Sequence, residues 1–250
     1  MQCLSKSLYL QKITSKIRRC CQEYNLIDEG DKIAVGLSGG KDSLVLLTAL
    51  AQLRRYYPKK FEVVAITVDL FDGKTDMSKL EEYCKQLNVE FKVINSQIYD
   101  VVFEVRKESN PCSLCAKLRR GILNNSAKQL GCNKVALGHH MDDLIHTFLL
   151  SMFYEGRLST FMPNTYLTDV DLNVIRPMIL VSEKEISIAA RKNNMPVVFN
   201  CCPANHKTER EHMKQIMDNI QKEIPISKDR LFKAIISPER YNLFDKFLKK

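Results

Sequence analysis

A glycine-rich hexapeptide, Ser38-Gly39-Gly40-Lys41-Asp42-Ser43, groups several potential anion-binding residues in one short stretch. The apolar run at 33–37 before it is typical of a buried parallel strand, and the Leu- and Ala-rich run after it predicts a helix. Glycines between a strand and a helix let backbone N–H groups approach an anion, and the helix N-terminus adds partial positive charge. Lys41 and the two serines supply further donors. The hexapeptide therefore predicts a phosphate-binding loop.

The spacing of this loop excludes two common nucleotide motifs. It lacks the Gly-x4-Gly-Lys-Ser/Thr pattern of a Walker A loop and the G-x-G-x-x-G pattern of a dinucleotide-binding fold. It resembles instead the Ser-Gly-Gly-x-Asp-Ser signature of the PP-loop ATP pyrophosphatases. That resemblance implies cleavage of ATP to AMP and pyrophosphate during activation of a carbonyl-type oxygen.

A pair of cysteines, Cys112 and Cys115, has the spacing of metal ligands or of a redox pair and begins a helix predicted over 113–130. The Cys201-Cys202 pair is the best source of a third ligand. The spacing leaves two metal sites open. One is an iron–sulfur cluster. The other is zinc, which is slightly favoured because His206 follows Cys202 by four residues. We interpret the remaining cysteines as bystanders: Cys3, Cys20, Cys21, Cys84 and Cys132.

A third polar group, Gly138-His139-His140-Met141-Asp142-Asp143, lies between a predicted strand at 134–137 and a predicted helix at 141–154. Gly138 would permit close approach of a nucleotide. His139 and His140 could form hydrogen bonds with the nucleotide or could simply shape the loop. Asp142 and Asp143 are favourable as helix caps. They could equally ligate Mg²⁺ beside the ATP phosphates together with Asp42.

The positions of the predicted elements indicate an α/β fold with a parallel sheet and helices on both faces. Strands are predicted at 33–37, 61–70, 90–95 and 134–137. Ligands of such sheets bind at the carboxyl ends of the strands, where the hexapeptide, Val68-Asp69 and Gly138-His139-His140 all fall. After the helix at 141–154, we expect an irregular segment at 158–171. A strand at 174–180, a helix at 182–193 and a short strand at 197–199 should then follow.

Charge and composition predict three segments and a polyanionic partner. A basic amphipathic helix is expected within 1–28, the nucleotide-binding α/β domain at 29–200, and a basic helical segment at 201–250. The net charge of +9 favours nucleic acid over an anionic membrane as the partner. No apolar stretch approaches the ~20 residues of a membrane span, and residues 1–6 lack the apolar core of a signal peptide. We therefore expect a cytoplasmic protein with reduced thiols.

Taken together, the sequence resembles the tRNA 2-thiocytidine synthetase family of PP-loop enzymes from about residue 8 to about residue 215. The loop alone would indicate only the superfamily, and the Cys-Ser-Leu-Cys segment with its arginines selects the thiolation branch. The motifs occur in the following order: Gly36-Leu37-Ser38-Gly39-Gly40-Lys41-Asp42-Ser43, Cys112-Ser113-Leu114-Cys115-Ala116-Lys117-Leu118-Arg119-Arg120-Gly121, Gly138-His139-His140-Met141-Asp142-Asp143, Met152-Phe153-Tyr154, Arg176-Pro177-Met178 and Cys202-Pro203-Ala204.

The resemblance implies a [4Fe-4S] cluster on Cys112, Cys115 and Cys202, which reverses the slight preference for zinc. It implies ATP and Mg²⁺ as cofactors, tRNA as substrate, an adenylated pyrimidine as intermediate, and a sulfur donor such as cysteine desulfurase or sulfide. A homodimer is a further expectation. Lys41, Asp42 and Arg119 would be catalytic, with Mg²⁺ on Asp42 and Asp143. The ATP-binding residues would be Ser38, Gly39, Gly40, Lys41, Asp42, Ser43, Val68, Gly138, His139 and Asp143.

Two departures from the family pattern bear on these assignments. His146 stands where many relatives have Glu, and the zinc ribbons of the related 2-thiouridine enzymes are absent from the sequence. Alternative functions are a PP-loop enzyme of different chemistry with a structural Cys/His zinc site, a nucleotide-binding metal carrier without turnover, and a thiolase or desulfidase that acts on a substrate other than tRNA.

Overall fold

A computed structural model of the chain describes residues 8–106, 111–198 and 209–237. These residues form eight α-helices, six strands and one π-helical turn at Asp100–Val105. The helices are α1 Leu8–Glu23, α2 Lys41–Leu53, α3 Ser78–Gln86, α4 Pro111–Gln129, α5 Met141–Glu155, α6 Glu183–Lys192, α7 Glu209–Glu223 and α8 Ser227–Ile236. The strands are β1 Asp31–Gly36, β2 Phe61–Asp69, β3 Glu90–Asn95, β4 Lys134–Ala136, β5 Asn164–Leu167 and β6 Leu172–Ile175.

The six strands form one sheet in the order β3-β2-β1-β4-β6-β5. All neighbouring pairs are parallel except β5 and β6, which form an antiparallel hairpin at one edge. Consecutive residues of β1, Ile33 to Val35, are completely buried. Such a continuous apolar run is required because helices cover both faces of a parallel sheet. The predicted α/β class with a mainly parallel sheet is confirmed.

Helices cover the sheet from two sides. On one face, Leu123 and Ala127 of α4 pack in a core with Ala34 of β1, Val64 of β2 and other strand residues. Helix α2 contacts β1 and β2 and also packs against α1 and α6. The predicted amphipathic character of α1 is confirmed, because Ile13 and Ile17 are buried while Lys12, Arg18 and Arg19 are exposed. In the part of the chain that the structure describes, no helix is long and apolar enough to cross a bilayer.

The prediction was wrong at three places after α5. The segment at 158–171 is not entirely irregular, because it contains β5. The strand predicted at 174–180 lies instead at Leu172–Ile175, so it ends before Pro177. Residues 197 and 198 form no strand, and Phe199 lies outside the described residues. The short, partly polar β5 acquires its extended form through pairing with β6, which a local sequence pattern does not reveal.

The described residues divide into two compact units. The first contains the sheet with α1, α2, α3, α4 and α6. The second contains α5, α7 and α8, whose common core includes Ile145, Leu149, Met213 and Met217. The sequence-based division, by contrast, assigns α5 to the nucleotide-binding domain. The domain boundaries at 28 and 200 stay a prediction.

A buried ion cluster fixes the amino ends of β1 and β4 in the first unit. The Lys134 ammonium lies 2.7 Å from Asp31 Oδ2 and 2.8 Å from Asp28 Oδ2, and it donates to the Leu26 carbonyl oxygen at 3.1 Å. Lys134 and Asp31 are only 4% and 2% exposed. Because Asp31 is almost inaccessible to water, its carboxylate depends on Lys134 for compensation, whereas Lys134 is compensated by Asp31 and by the exposed Asp28.

Replacing the cation of this cluster tests that dependence. Lys134→Met should lower the free energy of unfolding by about 3–5 kcal/mol, because the Asp31 carboxylate is left buried without its counter-ion. Lys85→Met is the control, since the Lys85 side chain is 73% exposed in its pair with Glu81, and it should cost less than ~0.5 kcal/mol. Urea unfolding of the two variants measures both values. Equal losses would contradict the ion cluster as a stabilising element.

Candidate active site

The glycine loop joins β1 to α2, as the sequence predicts. Gly39 has a φ of +79°, which strongly favours glycine, and Gly40 is the N-cap of α2 with extended backbone angles. No side chain caps the helix at Gly40. The loop therefore presents the N-terminus of α2, with Lys41 as its first residue, at the carboxyl edge of the sheet. This geometry is suited to binding an anion.

The two serines of the loop form hydrogen bonds within it. The Ser43 hydroxyl donates to the Gly40 carbonyl oxygen at 2.9 Å and accepts from the Ser38 N–H at 3.2 Å. The Ser38 hydroxyl oxygen lies 3.4 Å from the Gly40 nitrogen, which donates to it. Ser43 is buried, whereas Ser38 is exposed. Ser43 thus shapes the loop, and the assignment of both serines to phosphate binding stays a prediction.

Two further glycine contacts hold the loop in place. A Cβ on Gly39 would lie 3.1 Å from Cβ of Val198, whose N–H donates to the Gly39 carbonyl oxygen at 3.0 Å. A Cβ on Gly138 would lie 3.2 Å from both the carbonyl carbon of Asp42 and the nitrogen of Ser43. Gly138 therefore lets the segment after β4 pack directly on the backbone of the first turn of α2. Sequence reasoning expected this glycine to make room for a nucleotide, and that role stays a prediction.

Charged side chains converge on Lys41. Its ammonium lies 3.2 Å from Asp42 Oδ1 and 3.2 Å from Glu183 Oε1. Burial disfavours the ammonium, but the two carboxylates outweigh this effect, so the pKa of Lys41 is raised above its ordinary value. His140 Nε2 lies 3.8 Å from Asp42 Oδ1. Sequence reasoning missed Glu183, because only the fold brings the start of α6 to the loop.

The carboxyl end of β2 is closed by a buried carboxylate. Asp69 accepts hydrogen bonds from the Gly73 N–H at 2.6 Å, the Phe71 N–H at 3.2 Å and the Thr75 hydroxyl at 2.5 Å. Burial opposes ionisation, but these donors outweigh it and hold the pKa of Asp69 below its ordinary value. Asp69 thus organises the loop that follows β2. Val68, the predicted ATP-binding residue beside it, is partly buried at the same edge.

The cysteine pair lies on the first turn of α4. Cys112, Cys115 and Arg119 follow an i, i+3, i+7 spacing, which places them on one face of the helix. Both thiols are partly exposed. Cys115 packs in an apolar cluster with Val68 and Leu70, so the start of α4 lies near the carboxyl end of β2. Since β2 is the neighbour of β1, the pair and the glycine loop share this edge of the sheet.

The third predicted ligand of the cysteine site is not described. Cys201, Cys202 and His206 all lie outside the described ranges. Among the residues that are described, no three His, Cys, Asp or Glu side chains form a metal-binding group. The partly exposed pair lies on one helix face, and its assignment to a site with a third cysteine stays a prediction.

Arg176 adds positive charge at the carboxyl end of β6. Its guanidinium donates to the Met162 carbonyl oxygen at 2.7 Å and to the Thr165 hydroxyl at 3.0 Å. Burial, assisted by the like charge of Arg120 on α4, lowers the pKa of Arg176 to about 10. Arg176 is therefore still a cation at neutral pH, and it extends the basic character of α4 toward the sheet.

Asp143 and its neighbours Asp142 and His146 belong to the second unit, whereas His139 belongs to the first. Asp143 lies 3.8 Å from the Arg210 guanidinium, and the buried Asp142 lies 3.2 Å from the Lys228 ammonium. His146, which replaces the Glu of many relatives, is 4% exposed. Its burial disfavours the imidazolium and lowers its pKa, so His146 is a neutral interior side chain of this unit.

Comparison with known proteins identifies the family. The sequence profile of the PP-loop domain matches residues 9–228. The chain belongs to the PP-loop family. A tRNA-cytidine(32) 2-sulfurtransferase of Geobacter metallireducens is 39% identical over 243 residues, which cover 96% of this chain and 95% of the relative. The protein of the same name from Geotalea daltonii is 39% identical over the full length of both chains.

Solved structures show the same PP-loop architecture. The U34-tRNA thiolase NcsA from Methanococcus maripaludis, determined with its [4Fe-4S] cluster, matches with a TM-score of 0.76 and 25% identity. The match covers 96% of this chain and 83% of the thiolase. NMN synthetase from Francisella tularensis matches with a TM-score of 0.52 at 17% identity, which shows the fold alone.

The contact between Gly138 and the PP-loop generates a prediction. Gly138→Ala should weaken ATP binding about tenfold, because the new Cβ pushes the first turn of α2 from its position, and should cost about 1–3 kcal/mol of stability. Gly121→Ala is the control, because no atom lies within 4 Å of a Cβ at that position of α4. It should leave ATP binding unchanged and stabilise the helix by up to ~1 kcal/mol. Calorimetric titration with ATP, together with thermal unfolding, checks both variants. Unchanged affinity in Gly138→Ala would contradict the supporting role.

Proposed function

We propose that this chain is an ATP-dependent tRNA sulfurtransferase that converts the 2-oxo group of a pyrimidine, cytidine first, to a 2-thio group. The observation that carries the proposal is that a PP-loop and a cysteine pair share one edge of the sheet in a single unit. The curated relatives named tRNA-cytidine(32) 2-sulfurtransferase, which match over nearly their whole length, support the substrate.

The PP-loop is proposed to bind the phosphates of ATP. The N-terminus of α2 directs backbone N–H groups and partial positive charge toward them, and Lys41 adds a full charge on the same turn. Asp42 and Asp143 are the predicted Mg²⁺ ligands, and the ion would neutralise phosphate charge when bound. The remaining ATP contacts predicted at Val68 and His139 belong to the same proposal.

The reaction is proposed to proceed in two displacements. The 2-oxo group of the pyrimidine attacks the α-phosphate of ATP, and pyrophosphate leaves while Lys41 stabilises the developing charge. AMP is then a good leaving group on C2 of the base. A sulfide from an external donor, either a cysteine desulfurase or free sulfide, displaces it. With free sulfide as donor no net oxidation or reduction takes place, whereas the persulfide sulfur of a cysteine desulfurase must first be reduced by two electrons from an external thiol.

The cysteine face of α4 is proposed to hold a [4Fe-4S] cluster through Cys112 and Cys115, with Cys202 as third ligand. The structure of the related U34-tRNA thiolase with its cluster supports this assignment. When bound, the cluster would supply an iron without a protein ligand to hold the incoming sulfur. Arg119, one turn after Cys115, would stabilise negative charge on the adenylated base or its phosphate.

The basic surface is proposed to bind tRNA. The exposed cations of α1 and of α4 would contact phosphates, in agreement with the net charge of +9. A homodimer and a cytoplasmic location complete the proposal. The cations concerned are Lys12, Arg18, Arg19, Lys117 and Arg120.

The PP-loop step can be separated from the cluster. Lys41→Ala should reduce tRNA-dependent pyrophosphate release by about 10²–10³-fold, because the charge that stabilises the transferring group is lost. Its iron content should stay that of the wild type, since Lys41 lies on α2 and the cysteines on α4. Lys79→Ala, at an exposed position of α3, is the control and should release pyrophosphate normally. Release at the wild-type rate by Lys41→Ala would show that the loop is misassigned.

The cluster is tested by metal analysis of anaerobically purified protein. Cys112→Ala should lose the iron and the broad visible absorption of the wild type while still binding ATP. Cys132→Ala removes a thiol that is only 2% exposed in the core and should keep both. A colourless wild-type protein with one zinc per chain would contradict the sulfur-transfer mechanism and favour a structural zinc site.

A further inference from the structure

Glu183 is an acidic side chain at the PP-loop to which neither the sequence motifs nor the proposed reaction gives a role. It is the first residue of α6, and its Oε1 lies 3.2 Å from the Lys41 ammonium. The Asp42 carboxylate lies at the same distance from that ammonium. All three side chains are about one-third exposed or less. Lys41 is thus shared between two carboxylates at the mouth of the loop.

The position of Glu183 is fixed by its helix. Ser182 caps α6 through a capping box, in which the Ser182 N–H donates to Glu185 Oε2 at 3.0 Å and the Glu185 N–H donates to the Ser182 hydroxyl at 3.4 Å. Lys16 of α1 lies 2.7 Å from Glu185 Oε1 and holds this carboxylate in turn. Ile186 on the next turn is completely buried. The backbone at Glu183 is therefore anchored independently of Lys41.

This arrangement has two opposite consequences for ATP. Glu183 competes with the phosphates for the Lys41 ammonium, and its negative charge repels them, so it weakens ground-state binding. The Glu183 carboxylate also attracts the Lys41 ammonium toward α6, so that Lys41 does not pair with the adjacent Asp42 alone. The ammonium is thereby held between the two carboxylates beside the N-terminus of α2.

We propose that Glu183 is a positioning residue that holds the Lys41 ammonium between α6 and Asp42 and shares it with the phosphates of ATP when the nucleotide binds. The inference rests on the proposed function for its consequence in turnover. The ion pair between Glu183 and Lys41, and its effect on the affinity for ATP, do not depend on which molecule accepts the sulfur. Glu183 acts through Lys41 and need not touch the nucleotide.

The test is Glu183→Gln, which removes the charge and keeps the shape. The KM for ATP in tRNA-dependent pyrophosphate release should fall about two- to fivefold, the factor that corresponds to a partly exposed ion pair. The kcat should fall about tenfold, because Lys41 is no longer held in position. A parallel fall in both constants indicates that a ground-state restraint has been removed. Glu183→Asp should restore part of the kcat.

The control is Glu185→Gln, which removes a carboxylate from the same helical turn. Its partner is Lys16 rather than Lys41, and glutamine can also complete a capping box. Both constants for ATP should therefore stay within twofold of the wild type. If Glu183→Gln leaves both constants unchanged, or raises the KM together with a lower melting temperature, the positioning role is overturned.

A binding measurement separates this inference from the proposed function. An ATP analogue with a methylene bridge between the α- and β-phosphates cannot release pyrophosphate, so its Kd is measurable without turnover. Glu183→Gln should bind it about two- to fivefold more tightly than wild type. Unchanged or weaker binding overturns the inference even if the wild type thiolates tRNA. Tighter binding supports it even if no tRNA stimulates the wild type, a result that would contradict the proposed function alone.

Discussion

The approach of the Gly138 backbone to the first turn of α2 is the contact on which the nucleotide site depends. A side chain at this position would meet the backbone of Asp42 and Ser43 at 3.2 Å. With only hydrogen there, the segment after β4 supports α2 from the neighbouring strand. Val198 holds Gly39 in place by a backbone hydrogen bond. These backbone contacts hold the loop in its conformation, which lowers the ordering cost of binding.

The PP-loop combines a positive side chain with two negative ones and is not a purely positive pocket. Lys41 is the loop cation, yet the carboxylates of Asp42 and Glu183 both lie 3.2 Å from its ammonium. An unpaired ammonium that is partly buried would be costly, so the carboxylates stabilise the loop. Phosphates that enter must compete with them for the ammonium. The same contacts that stabilise the loop therefore set how tightly ATP is held and where Lys41 lies during reaction.

The cysteine helix and the PP-loop meet through the sheet rather than through sequence proximity. Helix α4 starts beside the carboxyl end of β2 because Cys115 packs with Val68 and Leu70. The loop follows β1, and the parallel pairing of β1 with β2 places both features at one edge. This is the edge at which open parallel sheets bind ligands. Activation of the base and delivery of sulfur can therefore be combined in one unit of the PP-loop fold.

The sequence by itself determined the elements whose signals are local. Periodicity and turn chemistry predict the apolar strand, the glycine turn and the Leu-rich helix at 31–53. They also predict the amphipathic α1 and the shared face of Cys112 and Cys115. Tertiary structure alone decided β5, whose extended form depends on pairing with β6, and the placement of Glu183 beside Lys41. It also decided that Gly138 packs on the α2 backbone. These features result from contacts between segments far apart in the chain, and such contacts leave no periodic trace in either segment.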